Sequence, residues 1–398
     1  MVVVLAVGPP CLCMSDRRDP TTGKIRVLNM GADAVPGTAS PLVVLFTDPL
    51  IQHHTVPLYS TIFEAAKTER FMRIYMPRTE QRMKSDFDLI MISDATVDNF
   101  PVRYFPWMIS AVRDEGLGFL TTGGSAMYGG RDQYASWDTC SIVEIYAVSF
   151  APREIYFIET GRNAPVKLAP VEKDNEYVSS IPWDTAPPIN YMIHIVQTKQ
   201  GAHTLLKLDI PAAHPALSSW DYGNGRATNL IFDWYPWRLE PFQKWTYYID
   251  FAGNLIYYSA GVAVPQDLEM VHRLRQLLAD YMERRTLLIS LLGFVEKFGA
   301  RVGSVERGLA RLDSEYARSQ QLYRSQDWEG AQDLLQEVMS QMSKLDDDAL
   351  KLKDRALMWI YVSEWLAVTA TLSVCGFVLW TLMVQRRLYG EVGVTRLR

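Results

Sequence analysis

From Leu366 the chain reads LAVTATLSVCGFVLWTLMV, nineteen residues without a charge. No other feature restricts the fold as strongly. Nineteen residues at a helical rise of ~1.5 Å match the ~30 Å hydrocarbon core of a bilayer. The run is long for a core helix, and the tail that follows, residues 385–398, offers no second domain to cover it. Trp359, Tyr361 and Trp365 lie at one end and Trp380 near the other, where aromatic belts are expected. The pattern predicts one transmembrane helix within residues 359–384, with the lipid bilayer as its partner through 366–384.

Orientation is set by weaker signals. Lys344, Lys351, Lys353 and Arg355 on one flank balance Arg386, Arg387, Arg396 and Arg398 on the other, so the positive-inside count ties. Arg386 and Arg387 abut the span directly and favour a cytoplasmic tail. Residues 2–7, VVVLAV, lead into GPPCLCMS and fit the end of a secretory signal, although no basic start precedes them. Residues 1–23 are therefore read as a leader or a disordered segment, and the large domain as extracytoplasmic. The alternative is a tail-anchored protein with a cytoplasmic domain.

The formal net charge is −5 and no basic stripe exists, so the footprint of nucleic-acid binding is missing. Of four cysteines, Cys11 and Cys13 sit in the leader, Cys375 in the apolar run, and Cys140 in the soluble part. That distribution supports neither a zinc ribbon nor a disulfide framework.

Short apolar runs bounded by Gly, Pro and Asp read as strands buried on both faces: KIRVLNM (24–30), SPLVVLF (40–46), DLIMIS (88–93) and 118–122. Helical stretches at 56–70 and 106–115 alternate with them, which predicts an α/β domain with a mostly parallel sheet. Further strands are expected at 142–148, 154–159, 193–197, 203–208 and 227–233, with a closing aromatic helix at 242–259. The domain spans 24–265. Residues 266–358 read as a helical stalk. In its first helix Leu268, Val271, Leu274, Leu277, Leu278 and Tyr281 share one face. A second helix covers 305–323 and a third starts at Trp328. Such a stalk suits homo-oligomers or membrane partners.

The segment GFLTTGGSAMYGG, then DQYASWDTCSIVEIYAVSF, places Gly123, Gly124, Tyr128, Gly129, Trp137, Thr139 or Cys140, and Glu144 in order. A second block, HPALSSW, GNGRATNLIFDWYPW and FQKWTYYIDFAGNLIYYSAG, supplies Gly225, Arg226 and Asp233. Together these resemble the class I glutamine amidotransferase-like superfamily over roughly residues 24–264. The resemblance implies a flavodoxin-like fold and a Cys-His-Glu triad, with the cysteine on a strand-to-helix turn and a His-x-Glu pair arriving after a later strand.

This chain departs from that chemistry. The turn carries Gly123, Gly124 and Ser125, with no cysteine, and Cys140 lies fifteen residues further on. After ATNLIFD come Trp234, Tyr235, Pro236 and Trp237, with no histidine. His214-Pro215 precedes that strand, and Ala216 stands where Glu would be. Gly123, Gly124, Gly129 and Gly130 fit neither GxGxxG nor a P-loop, and no cofactor or metal is expected.

The reading is a membrane-anchored pseudoenzyme that binds or scaffolds. Gly123, Gly124, Ser125, Tyr128, His53, His54, Asp233 and Trp234 are its candidate ligand-binding residues, on loops at the strand carboxyl ends. Trp107, Trp137, Trp183, Trp220 and Trp237 would add an aromatic rim for a carbohydrate or peptide ligand. The alternatives are a hydrolase or amidase using Ser125 or a metal held by His53, His54 and Asp48, and a structural subunit assembled through its stalk.

Overall fold

The computed structural model describes residues 16–31, 42–58, 64–128, 137–150, 157–158, 166–189, 193–232, 234 and 244–394. Its strands in chain order are β1 (Ile25–Gly31), β2 (Ile51–Pro57), β3 (Leu89–Ser93), β4 (Gly118–Thr122), β5 (Val148–Phe150), β6 (Phe157–Ile158), β7 (Leu168–Pro170), β8 (Ile193–His194), β9 (Val196–Thr198), β10 (His203–Leu208), β11 (Pro215–Tyr222) and β12 (Gly225–Leu230). Eight of them form one sheet in the order β2-β1-β3-β4-β12-β11-β10-β7. From β2 to β12 neighbours run parallel; β11, β10 and β7 extend the sheet antiparallel. Two small antiparallel ribbons pair β5 with β9 and β6 with β8.

The expected mostly parallel α/β sheet is present, and its central strands have the expected character. Every residue of β3 (LIMIS) and β4 (GFLTT) is buried, as strands covered on both faces require. On one face Leu28, Met30, Ile90, Ile92 and Phe119 pack with Met72, Met83, Met108 and Val112 from helices Ala65–Tyr75, Glu80–Asp86 and Tyr104–Glu115. The other face is covered by helix Tyr248–Ser259, in which every residue except Ile249 is buried. A helix so enclosed lies in the interior, and its polar residues Asp250 and Asn254 are hydrogen-bonded there.

Three local expectations are corrected. The described part of 40–46 is helix Leu42–Thr47, and the strand follows as β2. Five apolar residues in a row, LVVLF, suit either element by periodicity. The expected helix at 56–70 begins only at Ala65, because β2 runs to Pro57. The stretch 142–148 opens in a 3₁₀ turn, Ser141–Glu144, and reaches a strand only at Val148, where β5 begins. The longest strand, β11 (PALSSWDY), was not expected, since its small and polar residues carry little strand signal.

The chain divides into two compact units. The first holds residues up to Gln276 with Gln320–Gln332, and the second Leu277–Ser319 with Asp333–Arg398. The expected stalk helices are Leu268–Glu296, Gly303–Arg324 and Trp328–Val394. Within the second unit Tyr281 stacks on Tyr316 at 4.2 Å and donates to Asp313, which Arg285 also holds at 2.7 and 3.0 Å. Arg311 reaches Gln341 at 2.7 Å and Arg284 reaches Asp346 at 3.6 Å, so each helix touches both others. Leu335, Val338, Met342, Ala349 and Ala356 of the third helix are buried. Beyond them its mean hydropathy reaches 1.9 over an eighteen-residue window with none of it buried, so the helix is long and apolar enough to cross a membrane.

The amino ends of β1 and β3 are tied by charge. Asp88 is 2% exposed and accepts from the Arg26 backbone N–H at 2.8 Å, from Nε at 3.0 Å and from Nη2 at 2.6 Å. Asp88→Ala leaves the guanidinium and a strand-end N–H without their acceptor. It should lower unfolding stability by about 3 kcal/mol, read by denaturant titration.

Candidate functional site

Parallel strands direct their carboxyl ends to one edge, and in the order β2-β1-β3 successive strands are added to opposite sides of β1, so the strand order reverses between β1 and β3. That reversal point is where open α/β sheets bind ligands. Backbone spacing there is tight. A Cβ on Gly31, at φ +152°, would lie 1.9 Å from the Ser93 carbonyl oxygen. One on Gly123, at φ +142°, would lie 2.7 Å from Met127 Cγ. Both positions therefore require glycine. Between them Asp94 adopts φ +44°, and its N–H donates to the Thr122 carbonyl at 2.9 Å.

The edge is sealed by side chains. Trp234 is fully buried, and its indole N–H donates to Ser93 Oγ at 3.0 Å. Ser93 Oγ in turn meets Thr122 Oγ1 at 2.8 Å. The Tyr248 hydroxyl donates to the Trp234 carbonyl at 2.6 Å, and the Gly123 N–H to the Phe232 carbonyl at 3.3 Å. Trp137, also fully buried, donates to the Ala95 carbonyl at 3.1 Å. Tyr128 donates to the Thr121 carbonyl at 3.0 Å, and Asn229 bonds the Thr121 hydroxyl while accepting from the Ala147 N–H at 2.6 Å. Burial pushes the Tyr128 phenol well above its ordinary range.

Gly123, Gly124, Tyr128 and Trp234 thus meet at one edge, with Ser125 opening the short helix Ser125–Tyr128. Tyr128, Trp137 and Trp234 form its floor and not an exposed rim, because their indole and phenol groups are used inside the domain. Trp183 is buried as well, and Trp107 and Trp220 are half-buried. Asp233, Trp237, Gly129 and Gly130 lie outside the described residues.

His53 and His54 do not join this group. They are on strand β2 and not on a loop, three strand spacings or about 14 Å from β4. Adjacent strand residues face opposite sides. His53 meets Phe46 at 4.4 Å, and His54 bonds the Tyr75 carbonyl at 2.6 Å. Asp48, proposed with them as a metal ligand, is committed elsewhere. Among the described residues no three His, Cys, Asp or Glu side chains form a metal-holding group.

Asp48 belongs to a buried polar cluster in the first unit that the sequence reading missed. Its Oδ2 accepts from Tyr257 at 2.6 Å and Tyr323 at 3.1 Å, and its Oδ1 from the Leu50 N–H at 2.9 Å. Arg275, 5% exposed, donates to Asp250 at 2.8 Å, Asn254 at 3.0 Å and Tyr323 at 3.2 Å. His272 Nδ1 lies 2.6 Å from the other Asp250 oxygen. Burial opposes the Arg275 charge, and the surrounding tyrosines and aspartates outweigh it, so the guanidinium stays charged well above its ordinary range. The spacing Asp250, Asn254, Tyr257 places polar groups on one face of an aromatic helix, and that was the available signal.

No family model and no curated protein matches the chain. Among solved structures, it is similar to two cytoplasmic proteins of Salmonella typhimurium. One is 18% identical over 59% of this chain and 99% of that one, with a TM-score of 0.48. The other is 16% identical over 61% and 100%, also at 0.48. A β-galactosidase from Rahnella sp. R3 is 14% identical over 55% of this chain and 30% of its own, at 0.34.

Two measurements check this geometry. Trp234→Phe removes the bond to Ser93 and should cost about 1–2 kcal/mol of unfolding stability. Burial, then the His54 charge, holds the His53 pKa below 6.5. The unfolded chain therefore binds a proton first as pH falls, so stability declines below about pH 6.5. His53→Gln should flatten that decline in pH-dependent thermal melts.

Proposed function

We propose that the chain is a bilayer-anchored, non-catalytic relative of the class I glutamine amidotransferases that binds a ligand or scaffolds partners. The observation that carries this is Trp234. It follows the strand after which the family's catalytic histidine would arrive, and it is fully buried with its indole committed to Ser93. An indole is no general base, and the one N–H it has is already donated to Ser93. The parallel order β2-β1-β3-β4-β12 supports the flavodoxin-like topology, whose five strands run 2-1-3-4-5. The apolar stretch of helix Trp328–Val394 supports one span, and Arg386 and Arg387 beside it support a cytoplasmic tail and an extracytoplasmic domain. The proposed ligand class is a carbohydrate or peptide, which would stack on the half-buried Trp107 or Trp220 and not on the buried Tyr128, Trp137 and Trp234.

A second reading, an assembly subunit, is favoured by apolar residues left outward on the first stalk helix: Leu287 is 63% exposed, Ile289 44% and Phe294 43%.

Purified full-length protein should release no ammonia from glutamine. A fluorophosphonate probe should label wild type and Ser125→Ala equally, and labelling lost in the variant would overturn the non-catalytic reading. Alkaline carbonate should leave the full chain in the membrane pellet and extract a variant lacking 366–384.

A further inference from the structure

We infer that helix Tyr248–Ser259 couples the sealed carboxyl edge to the buried Arg275 cluster, so that loosening either one loosens the other. The helix holds both ends by hydrogen bonds. In its first turn the Tyr248 hydroxyl grips the Trp234 carbonyl at 2.6 Å, and Trp234 grips Ser93. In the same turn Asp250, and one turn further Asn254, receive the two Nη groups of Arg275 at 2.8 and 3.0 Å. Tyr257, one turn further, donates to Asp48.

The helix has little freedom to adjust between these grips. Phe251, Ala252, Leu255 and Ile256 are fully buried beneath it. A Cβ on Gly253 would lie 3.1 Å from Arg275 Nη2, and one on Gly118 of β4 would lie 2.1 Å from the Ser259 carbonyl. A close-packed element held this way shifts as one body, because its side chains cannot re-pack separately. Arg275 lies on helix Leu268–Glu296, and Tyr323 comes from the far end of helix Gly303–Arg324. The cluster is therefore where three chain-distant segments register any displacement of the helix. The coupling is a property of the unliganded domain and stands apart from what the edge binds.

The test is hydrogen exchange on full-length protein in lipid nanodiscs, with three variants that each delete one hydroxyl. Tyr248→Phe cuts the edge-side grip and keeps the ring. Tyr257→Phe cuts the cluster-side bond to Asp48. Ser110→Ala, which loses the 2.6 Å bond to Glu80 on the opposite face, is the control. Tyr248→Phe should speed exchange of the amides of residues 272–276 about fivefold. Coupling is reciprocal, so Tyr257→Phe should speed the Gly123 amide, which donates to Phe232 at the edge, by a similar factor. The control should change neither region. The inference is overturned if either variant acts only beside its own hydroxyl. It is equally overturned if exchange rises uniformly, including at Ile90 in β3, or if the control reproduces the effect.

Discussion

The first unit depends on one desolvated guanidinium. Arg275 sits where water is excluded, and its charge is tolerable only because Asp250 and Asn254 accept from it and Asp48 lies 3.6 Å away. The dependence runs both ways. Asp48 and Asp250 are themselves 6% and 0% exposed, so without Arg275 two carboxylates would be left inside the protein. Removing one partner of such a set typically costs 3–5 kcal/mol, roughly the scale of a domain's whole stability margin. The cluster draws on both stretches that make up the first unit: Arg275 lies just before Gln276, and Tyr323 lies within Gln320–Gln332.

The carboxyl edge makes a different use of buried polar groups. Ser93, Thr122 and Trp234 satisfy one another, and Tyr128, Thr121 and Asn229 do the same next to them. Fully connected networks in low dielectric rigidify a site. The glycines there allow the backbones at Gly31 and Ser93, and at Gly123 and Asp94, to come together.

Much of the architecture was legible in the sequence because its signals were continuous. DLIMIS, GFLTT and the apolar run after Leu366 each state a solvent, interior or lipid, without help from distant residues. The failures share one cause. PLVVLF could not declare helix or strand alone, and β2 (IQHHTVP) reads as a loop because an edge strand needs only one paired side and tolerates polar residues. β11 is held by its neighbours β10 and β12, not by its own propensity. At the edge, the turn at Gly123 and the place of Trp234 were readable from order and spacing. That the tryptophan would point inward to Ser93 was not, since a one-dimensional pattern does not say which face of a post-strand residue meets solvent.

Helix Trp328–Val394 runs for 67 residues, about 100 Å, with no proline in it. Its lower part carries the seam of Leu335, Met342 and Ala349 on which the other stalk helices pack, and its upper part is bare and apolar. A rod without a joint cannot lean at one end and stay upright at the other. In a bilayer thinner than the apolar stretch, relief of the mismatch by tilting would swing the helical bundle through the same angle, so lipid thickness would become a steering input at the aqueous end of the rod.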